Sequence, residues 1–309
     1  MNKDSKIYIA GHRGMVGSSV WRVLEQLGYT NLIGRSSTEL DLRNQDAVAQ
    51  FFKKEQPEVV VDAAALVGGI LANQKDQYGF LMENMRIQNN LIQESLTHGV
   101  DKFIFLGSSC IYPKLAPQPL KEEYLLTGPL EPTNEGYAIA KISGVKLCQA
   151  LREQQGKYFV SLMPTNLYGP NDNFDLERSH VMPAMMRKFH EAKINGNTPV
   201  KLWGSGTPLR EFLHVDDMAK AVVFALENEL PGHLYNVGTG VDLTIKELAL
   251  LIQKIVGHKG ELLWDADKPD GTPRKLMDVS QLKSLGWEAS IRLAEGVKET
   301  YIWYLRKGQ

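Results

Sequence analysis

The chain has 309 residues, of which 43% are hydrophobic and 23% charged, a composition typical of soluble globular domains. Its 35 basic and 36 acidic residues give a net charge of −1, so it lacks the basic surplus of proteins that bind nucleic acids or acidic membrane surfaces. The length allows one large domain or two smaller ones.

The two cysteines, Cys110 and Cys148, form neither a disulfide framework nor a zinc-binding spacing. We therefore expect free thiols, no metal site and a reducing cytoplasm. The first residues run straight into an apolar strand, and no apolar run approaches the roughly 18 residues of a membrane span. We expect neither a signal peptide nor a membrane segment.

The first half of the chain alternates apolar strands with helical stretches. The predicted strands are Lys6–Ala10, Asn31–Gly34, Val59–Ala63, Lys102–Leu106 and Tyr158–Met163. The predicted helices are Val16–Leu27, Gln45–Lys54, Tyr78–His98 and Tyr137–Gln155. This alternation predicts an α/β fold with a doubly wound, Rossmann-like parallel sheet, whose ligands bind outside the carboxyl ends of the strands.

The pattern becomes irregular after Tyr168-Gly169-Pro170, where we predict a smaller, mixed α/β substrate domain. Asp216-Asp217 would cap a helix that, with strand Leu234–Val237, returns to the main sheet. The predicted cofactor domain is therefore residues 1–170 together with 215–240. The predicted substrate domain is residues 171–214 together with 241–309.

A glycine-rich segment lies directly after the first predicted strand and opens the first helix. It consists of Gly11, His12, Arg13, Gly14, Met15, Val16 and Gly17. Glycines at such a turn let the backbone approach a pyrophosphate, whose charge is stabilised by the helix N-terminus. A glycine-rich turn without a ligand is the alternative, but the position between strand and helix favours a dinucleotide.

The second predicted strand ends at Gly34-Arg35 without a carboxylate that could hold the ribose hydroxyl of NAD. Arg13 and Arg35 could clamp a 2′-phosphate, so we expect NADP(H). Either arginine could instead be a solvated surface charge. Asp41, which Leu42 follows, could approach the adenine or cap a helix.

Tyr137 and Lys141 are four residues apart, so both side chains project from one face of a helix. A phenol beside an ammonium group is a proton donor with a lowered pKa. Ser108 and Ser109 end the fourth predicted strand, where a hydroxyl could donate to a substrate carbonyl. With a dinucleotide nearby, these residues predict hydride transfer to or from a carbon that bears oxygen.

Two further residues are suited to proton transfer. Cys110 follows the serines, and its thiol could exchange protons with a substrate or could simply be a small buried hydrophobe. His180 opens a helix after an Asn/Asp-rich loop, and its imidazole suits proton transfer near neutral pH. The alternative for His180 is a capping or surface role, while Cys148, among apolar helix positions, is predicted to pack in the core.

Three residues of the second predicted domain could bind a nucleoside diphosphate. Arg210 is the strongest candidate for a phosphate contact. Trp203 could stack on a base or pack in the core. Lys188 could line the cleft or be a solvated helix charge.

Several segments together carry a family resemblance: AGHRGMVGS, AAALVGGI, LGSSCIYPK, TNEGYAIAKI, MPTNLYGPNDNF, SHVMPA and REFLHVDD. With them the chain resembles the extended short-chain dehydrogenase/reductases that act on nucleotide sugars. The glycine loop and the Tyr-x-x-x-Lys pair support that general family. Cys110, and His180 in its long loop context, narrow the resemblance to the family of GDP-L-fucose synthases.

The resemblance implies conversion of GDP-4-keto-6-deoxy-D-mannose to GDP-L-fucose with NADPH in one site. Cys110 as base and His180 as acid would epimerise carbons 3 and 5, whose hydrogens the 4-ketone acidifies. Tyr137 would then protonate the oxygen on carbon 4, held by Ser108, as hydride reduces that carbon. Further cofactor contacts would come from Leu106, Gly107, Ser108, Ser109, Lys141, Pro164, Thr165, Asn166, Leu167 and His180. The GDP-sugar would contact Lys188, Trp203, Arg210 and Asp270.

One departure and two alternatives accompany this resemblance. Ser37 stands where some members carry a second arginine, which weakens the predicted clamp on a 2′-phosphate. Another NADP-dependent nucleotide-sugar epimerase or reductase remains open, and so does a non-enzymatic NADP sensor. Sensors of this fold typically lose the Tyr/Lys pair.

We also expect a homodimer through a four-helix interface formed by residues 78–98 and 137–155.

Overall fold

A six-stranded sheet forms the centre of the molecule in the computed structural model, which describes residues 1–176, 179–268 and 270–307. Its strands are β1 (Ile7–Ala10), β2 (Leu32–Ile33), β3 (Val59–Asp62), β4 (Lys102–Leu106), β5 (Tyr158–Pro164) and β9 (Leu234–Val237). They lie in the order β2-β1-β3-β4-β5-β9, and every neighbouring pair is parallel. The predicted doubly wound parallel sheet is confirmed.

Helices cover both faces of this sheet, because successive strand residues point to opposite sides. Ile7 and Ile9 belong to the apolar core under α1 and α7, whereas Tyr8 and Ala10 belong to the core under α2, α4 and α5. The helices are α1 (Met15–Gln26), α2 (Gln45–Glu55), α3 (Ile70–Lys75), α4 (Gln77–Thr97), α5 (Glu135–Gln155), α6 (Val181–Ile194), α7 (Val215–Glu227), α8 (Ile245–Val256), α9 (Ser280–Ser284) and α10 (Leu293–Lys307).

Within residues 1–170 the helices differ from the sequence prediction mainly by the presence of α3. This short helix is not predicted from the sequence, since Gly68-Gly69 directly before it favours a loop. Within the described ranges, no helix is long and apolar enough to cross a membrane.

The chain returns to the main sheet through α7 and β9, which pairs with β5. The N-cap of α7 is His214, whose Nδ1 accepts a hydrogen bond from the Asp216 amide at 3.2 Å. The predicted cap by Asp216-Asp217 is therefore wrong. Asp217 instead accepts hydrogen bonds from the amides of Ser290 and Ile291, so its carboxylate fastens the segment before α10.

A smaller region of mixed helices and strands lies beyond β5. Its strands are β6 (Asn166–Tyr168), β7 (Val200–Trp203), β8 (Leu209–His214), β10 (Asp242–Thr244), β11 (Leu262–Asp265) and β12 (Arg274–Lys275). A third apolar core packs β6, β7, β8, β10 and β11 against α6, α8 and α10. The predicted mixed α/β character is confirmed, while the residue boundaries of the two domains stay a prediction.

Glu211 on β8 holds the parts of this smaller region together. Its side chain is fully buried and accepts hydrogen bonds from the amides of Thr239, Gly240 and Met277 at 2.6 to 2.8 Å. A buried carboxylate is stable only with such partners. This carboxylate therefore fixes the loop after β9 and the segment after β12 relative to β8.

Candidate active site

The glycine loop between β1 and α1 is so tightly closed that Gly11 and Gly17 leave no room for a Cβ. Gly11 has a φ of +76°, and a Cβ on it would lie 2.7 Å from the carbonyl oxygen of Ala63. A Cβ on Gly17 would lie 2.2 Å from the carbonyl oxygen of Gly11. The N-cap of α1 is Gly14, and no side chain caps it. The first-turn amides therefore have no side-chain acceptor, which suits an anionic ligand such as a pyrophosphate.

The other residues of the loop have different surroundings, and His12 lies against the end of β2. The His12 ring packs over Gly34 and lies 5.7 Å from the Trp21 ring, with a buried Nδ1 that has no hydrogen-bond partner. Arg13 is exposed and has no hydrogen bond or ion pair within the described ranges. Met15 and Val16 are partly buried in the first turn of α1.

Arg35 is held differently from Arg13. Its guanidinium donates to Glu55 at 2.9 Å and to the carbonyl of Gly34 at 2.8 Å, and it lies 5.5 Å from the Phe51 ring centroid. The alternative of a free, solvated charge therefore does not describe Arg35. Both arginines lie near the loop. Of these two, Arg35 is paired, whereas Arg13 has no hydrogen bond or ion pair with the described residues.

Asp41 and Leu42 lie between β2 and α2. The Asp41 carboxylate is paired with Arg43 at 2.8 Å, and this hydrogen-bonded partner holds the pKa of Asp41 below its usual value. The N-cap of α2 is Asn44, so the alternative of a capping role for Asp41 is wrong. Leu42 packs against the core under α2 and α4, and its carbonyl accepts from Asn90 at 2.8 Å.

Tyr137 and Lys141 lie one turn apart on α5, as the spacing predicts. Lys141 is only 3% exposed, and its Nζ donates to the carbonyl of Leu106 at 2.9 Å. Nζ also lies 5.9 Å from the Tyr137 ring centroid and 4.7 Å from that of Phe105. Its ammonium group is therefore hydrogen-bonded to the end of β4 and lies near the Tyr137 ring without a hydrogen bond to the phenol.

The pKa of Tyr137 differs in direction from the sequence expectation. Burial raises it well above its usual value, and the negative charges of Cys110 and Asp62 add to this effect. Burial also lowers the pKa of Lys141, against the opposing influence of Asp62. The predicted lowering of the phenol pKa by Lys141 is wrong for this structure, because desolvation outweighs a cation that donates to Leu106 instead.

The segment after β4 brings a hydroxyl and a thiol beside this pair. Gly107 donates to the carbonyl of Leu162 at 3.0 Å, and Ser108 then caps a single 3-10 turn over Ser109–Ile111. The Ser108 Oγ accepts from the amide of Cys110 at 3.4 Å. Ser109 and Cys110 are each 5% exposed. We refer to Ser108, Cys110, Tyr137 and Lys141 as the strand-end cluster.

Cys110 is buried but lies among charged groups, unlike Cys148 in the apolar core. Burial raises the pKa of the Cys110 thiol, while the ammonium of Lys275, the Ser108 hydroxyl and Lys141 oppose that rise. Sequence reasoning misses Lys275, because one lysine in a two-residue strand carries no pattern. β12 pairs in parallel with β8 and brings Lys275 opposite Arg210.

The end of β5 completes the inner side of the site. Thr165 is buried and donates from its amide to Val237 at 3.0 Å, and the Asn166 side chain donates to the carbonyl of Glu211 at 2.8 Å. Pro164 ends β5, and Leu167 packs against the core under α1 and α7. These bonds tie the predicted cofactor-lining segment to β9 of the main sheet and to β8 of the smaller region.

His180 is the N-cap residue of α6, without a side-chain capping hydrogen bond. Its side chain is reachable by solvent, but the surrounding protein lowers the pKa of the imidazole, which therefore favours its neutral form near pH 7. It makes no hydrogen bond to Cys110 or Tyr137 among the described residues. Within the described residues, the His180 side chain therefore neither caps α6 nor bonds to Cys110 or Tyr137.

The residues predicted to bind the GDP-sugar lie on the smaller region. Trp203 is 53% exposed, so the alternative of core packing is wrong for this residue. Its ring lies 5.9 Å from Lys188 Nζ and 5.5 Å from Lys268 Nζ. An exposed indole between two cations offers a flat surface to an aromatic, anionic ligand.

Asp270 lies beside the turn that follows Trp203, and its charge acts on Arg210. The Asp270 carboxylate accepts from the amide and hydroxyl of Ser205 at 2.7 and 2.8 Å, two residues after Trp203. Burial lowers the pKa of Arg210, and Asp270 opposes that effect. We refer to Lys188, Trp203, Arg210 and Asp270 as the outer cluster. Lys188 thus lies near Trp203 and Arg210 near Asp270, while Asp270 also holds the turn after β7.

Comparisons with known proteins identify the family of this chain. The NAD dependent epimerase/dehydratase family matches residues 7–238. A putative GDP-L-fucose synthase 2 of Arabidopsis thaliana is 58% identical over 99% of this chain and 93% of its own length. A GDP-L-fucose synthase of Escherichia coli K12 is 54% identical over 97% of this chain and 96% of its own length.

A solved structure extends the comparison to a bound cofactor. The GDP-mannoheptose C4 reductase MlghC of Campylobacter jejuni, solved with NADP, is 41% identical. It superposes with a TM-score of 0.92 over 99% of both chains. The identities and coverage show that the chain belongs to the NAD dependent epimerase/dehydratase family, in the group of the GDP-L-fucose synthases.

Proposed function

We propose that this protein converts GDP-4-keto-6-deoxy-D-mannose to GDP-L-fucose by epimerisation at carbons 3 and 5 followed by reduction at carbon 4. The observation that carries the proposal is the placement of a buried thiol, Cys110, beside the Tyr137–Lys141 pair. A reductase alone needs only the pair. A thiol in the same cluster adds a proton acceptor for the carbons next to a ketone.

The cofactor proposed for the reduction is NADPH, which supplies the hydride when it is bound. No side chain caps the first backbone amides of α1, and the loop has no room for a Cβ at Gly11 or Gly17. Both features fit a pyrophosphate bound at the start of this helix. The unpaired Arg13 would contact its 2′-phosphate. Leu42, Leu106, Gly107, Ser109 and residues 164–167 would line the rest of the cofactor site.

The proton transfers are assigned to three side chains, and two others support them. Cys110 would remove the hydrogens on carbons 3 and 5, which the 4-ketone acidifies, and His180 would return a proton from the opposite face. Tyr137 would then protonate the oxygen on carbon 4, and Ser108 would hold that oxygen by a hydrogen bond. Lys141 would keep a positive charge beside the phenol.

The outer cluster is proposed to bind the GDP portion. Arg210 and Lys188 would contact the diphosphate, and Trp203 would stack on an aromatic ring or a sugar face. Asp270 would contact the sugar nucleotide from the Ser205 turn. In this assignment the outer cluster of the smaller region binds the GDP portion, while the strand-end cluster and His180 carry out the proton transfers.

The first test is turnover by the wild-type protein. Purified protein, NADPH and GDP-4-keto-6-deoxy-D-mannose should give NADPH oxidation, followed by absorbance, and GDP-L-fucose, identified by NMR. Formation of the unepimerised 6-deoxy sugar would instead favour a C4 reductase, the activity named for the Campylobacter jejuni relative. Absence of NADPH oxidation would contradict the proposal.

We further propose a cytoplasmic homodimer. α4 and α5 lie side by side and present Tyr78, Ile139 and Leu147 at 73%, 42% and 39% exposure. Two copies of such a face could pair as four helices. Light scattering on wild type and on an Ile139→Glu, Leu147→Glu double variant would test this, since the variant should be monomeric. Cell fractionation would test the location.

A further inference from the structure

Asp62 is a buried carboxylate that the proposed reaction does not use. It is the last residue of β3 and has no exposed surface. One oxygen accepts a hydrogen bond from the amide of Ala64 at 3.2 Å, while the other is buried without any hydrogen-bond partner. A carboxylate in such a place is costly unless a compensating charge is near. The question is which charge compensates it.

The sheet register places Asp62 close to the strand-end cluster. In the ladder, Asp62 lies directly opposite Ala10 on one side and Phe105 on the other. Val60 and Phe105 belong to the core under α2, α4 and α5, so the alternation of strand side chains directs Asp62 toward that same face. Neighbouring strands are about 4.8 Å apart. Asp62 and Phe105 are therefore immediate neighbours beneath α5.

Lys141 approaches the same ring from α5. Its ammonium lies 4.7 Å from the Phe105 ring centroid while it donates to the Leu106 carbonyl. The carboxylate and the ammonium thus both adjoin Phe105, one beside it in the sheet and one over its face. They form no direct ion pair in the described part of the chain. Between two buried groups, Coulomb attraction still acts across such a gap because little water screens it.

Among the described groups around Asp62, Lys141 supplies the compensating positive charge, because the others are not cations. β1 contributes Tyr8, and α5 contributes Tyr137 and Cys148, none of which is a cation. The buried amide side chains of α4, which packs beside α5, are also neutral. Burial raises the pKa of Asp62 to about 6, and the ammonium of Lys141 is the principal opposing influence.

We propose that Asp62 is a positioning residue that keeps Lys141 in its charged form inside the site. An ionised Asp62 favours the ammonium over the neutral amine, although burial favours the amine. The same negative charge favours the protonated phenol of Tyr137. Both effects preserve the acid form of the Tyr137–Lys141 pair toward higher pH. The catalytic consequence rests on the proposed function, whereas the charge of Lys141 can be measured without it.

The decisive experiment is an NMR titration of Lys141 in protein labelled with ¹³C at lysine Cε. The Lys141 signal is assigned by its loss in Lys141→Met. In Asp62→Asn the titration midpoint should fall by about one pH unit or more. Ser161→Ala is the matched control, because Ser161 lies in the same sheet row opposite Phe105, is fully buried and carries no charge. An unchanged midpoint in Asp62→Asn would overturn the proposal.

Two further measurements keep the proposal testable if Asp62→Asn does not fold. Asp62→Leu replaces the carboxylate by an apolar group of similar size, and the same fall of the midpoint is expected. In the wild type itself, the Lys141 signal should show a second inflection near pH 6, where Asp62 titrates. A wild-type signal without that inflection, or an unshifted midpoint in Asp62→Leu, counts against the proposal.

The catalytic readout is the pH profile of single-turnover NADPH oxidation. The loss of rate at alkaline pH should begin at lower pH in Asp62→Asn than in wild type, because Lys141 and Tyr137 lose their protons earlier. A purely structural role would lower the rate equally at all pH values, which would contradict the proposal. If the wild type does not oxidise NADPH, the proposed function fails while the NMR titration still decides the role of Asp62.

Discussion

The strand-end cluster and the outer cluster hold their polar side chains in opposite ways. In the first, Lys141 and Cys110 are 3% and 5% exposed. Burial lowers the pKa of Lys141 and raises the pKa of Cys110, so it favours the neutral form of both groups. In the second, Trp203 is 53% exposed beside two lysines. Buried groups suit proton transfer, because their pKa values respond strongly to neighbours, whereas exposed groups suit recognition of a ligand that arrives with its own charge.

This difference predicts that substitutions in the strand-end cluster lower kcat and that substitutions in the outer cluster raise KM. Interactions made only in the transition state affect kcat, and interactions made equally with bound substrate affect KM. The following variants test that division.

Tyr137→Phe should have the largest effect. Loss of a positioned general acid should lower the rate of hydride transfer about 10²- to 10⁴-fold. Stopped-flow NADPH oxidation measures that rate, and fluorescence titration should show unchanged NADPH affinity. The exposed Tyr78, changed to Phe, is the control and should retain the wild-type rate. A Tyr137→Phe rate within threefold of wild type would remove Tyr137 from its proposed role.

Cys110→Ser should slow epimerisation much more than it slows reduction, since a hydroxyl is a far weaker base than a thiolate. Incorporation of solvent deuterium at carbons 3 and 5, followed by NMR, should fall about 10²- to 10⁴-fold. Cys148→Ala is the control, because Cys148 lies in the apolar core under α5. Equal deuterium incorporation in Cys110→Ser and wild type would exclude Cys110 as the base.

The pH dependence of the same exchange reports the charge of Cys110. Burial raises the thiol pKa, so less thiolate is present at neutral pH than for a free cysteine. The wild-type exchange rate should therefore rise with pH throughout the neutral range and into the alkaline range. A plateau that begins below pH 7 would require a lowered thiol pKa, contrary to this structure.

Arg210→Ala should raise KM for the GDP-sugar about 10- to 100-fold with little change in kcat, since one charge-assisted hydrogen bond contributes about 1.5–3 kcal/mol. Steady-state kinetics measures both constants. Arg274→Ala is a close control, because Arg274 lies on β12 and is already paired with Asp242 at 2.6 Å. A fall in kcat alone would place Arg210 in the chemical step.

Trp203→Ala should have the smallest effect, a rise in KM of about 3- to 10-fold, because an aromatic contact contributes about 0.5–1.5 kcal/mol. Trp203→Phe should recover part of this loss, since a phenyl ring can still stack. The same steady-state assay distinguishes the two variants. If both raise KM equally, the indole contributes through something other than stacking.

Local sequence patterns predict the parts of the site that depend on neighbours in the chain. The β1–glycine loop–α1 unit is an example, because its tight turn requires residues without a Cβ at positions 11 and 17. Tyr137 and Lys141 are another, since four residues make one helical turn. The carboxyl ends of β4 and β5 meet as predicted, because parallel pairing leaves no other arrangement of adjacent strand ends.

The sequence by itself therefore determined the sheet, the glycine loop and which side chains lie at the strand ends. Only the tertiary structure decided how those side chains are charged, because desolvation and Coulomb forces depend on residues that are distant in the chain. The raised pKa of Tyr137, the approach of Lys275 to Cys110 and the buried Asp62 carboxylate near Lys141, with one oxygen that lacks a hydrogen bond, all arise in this way. A single Asp or Lys in a short strand carries no periodic signal, so its role becomes visible only once the strands are paired.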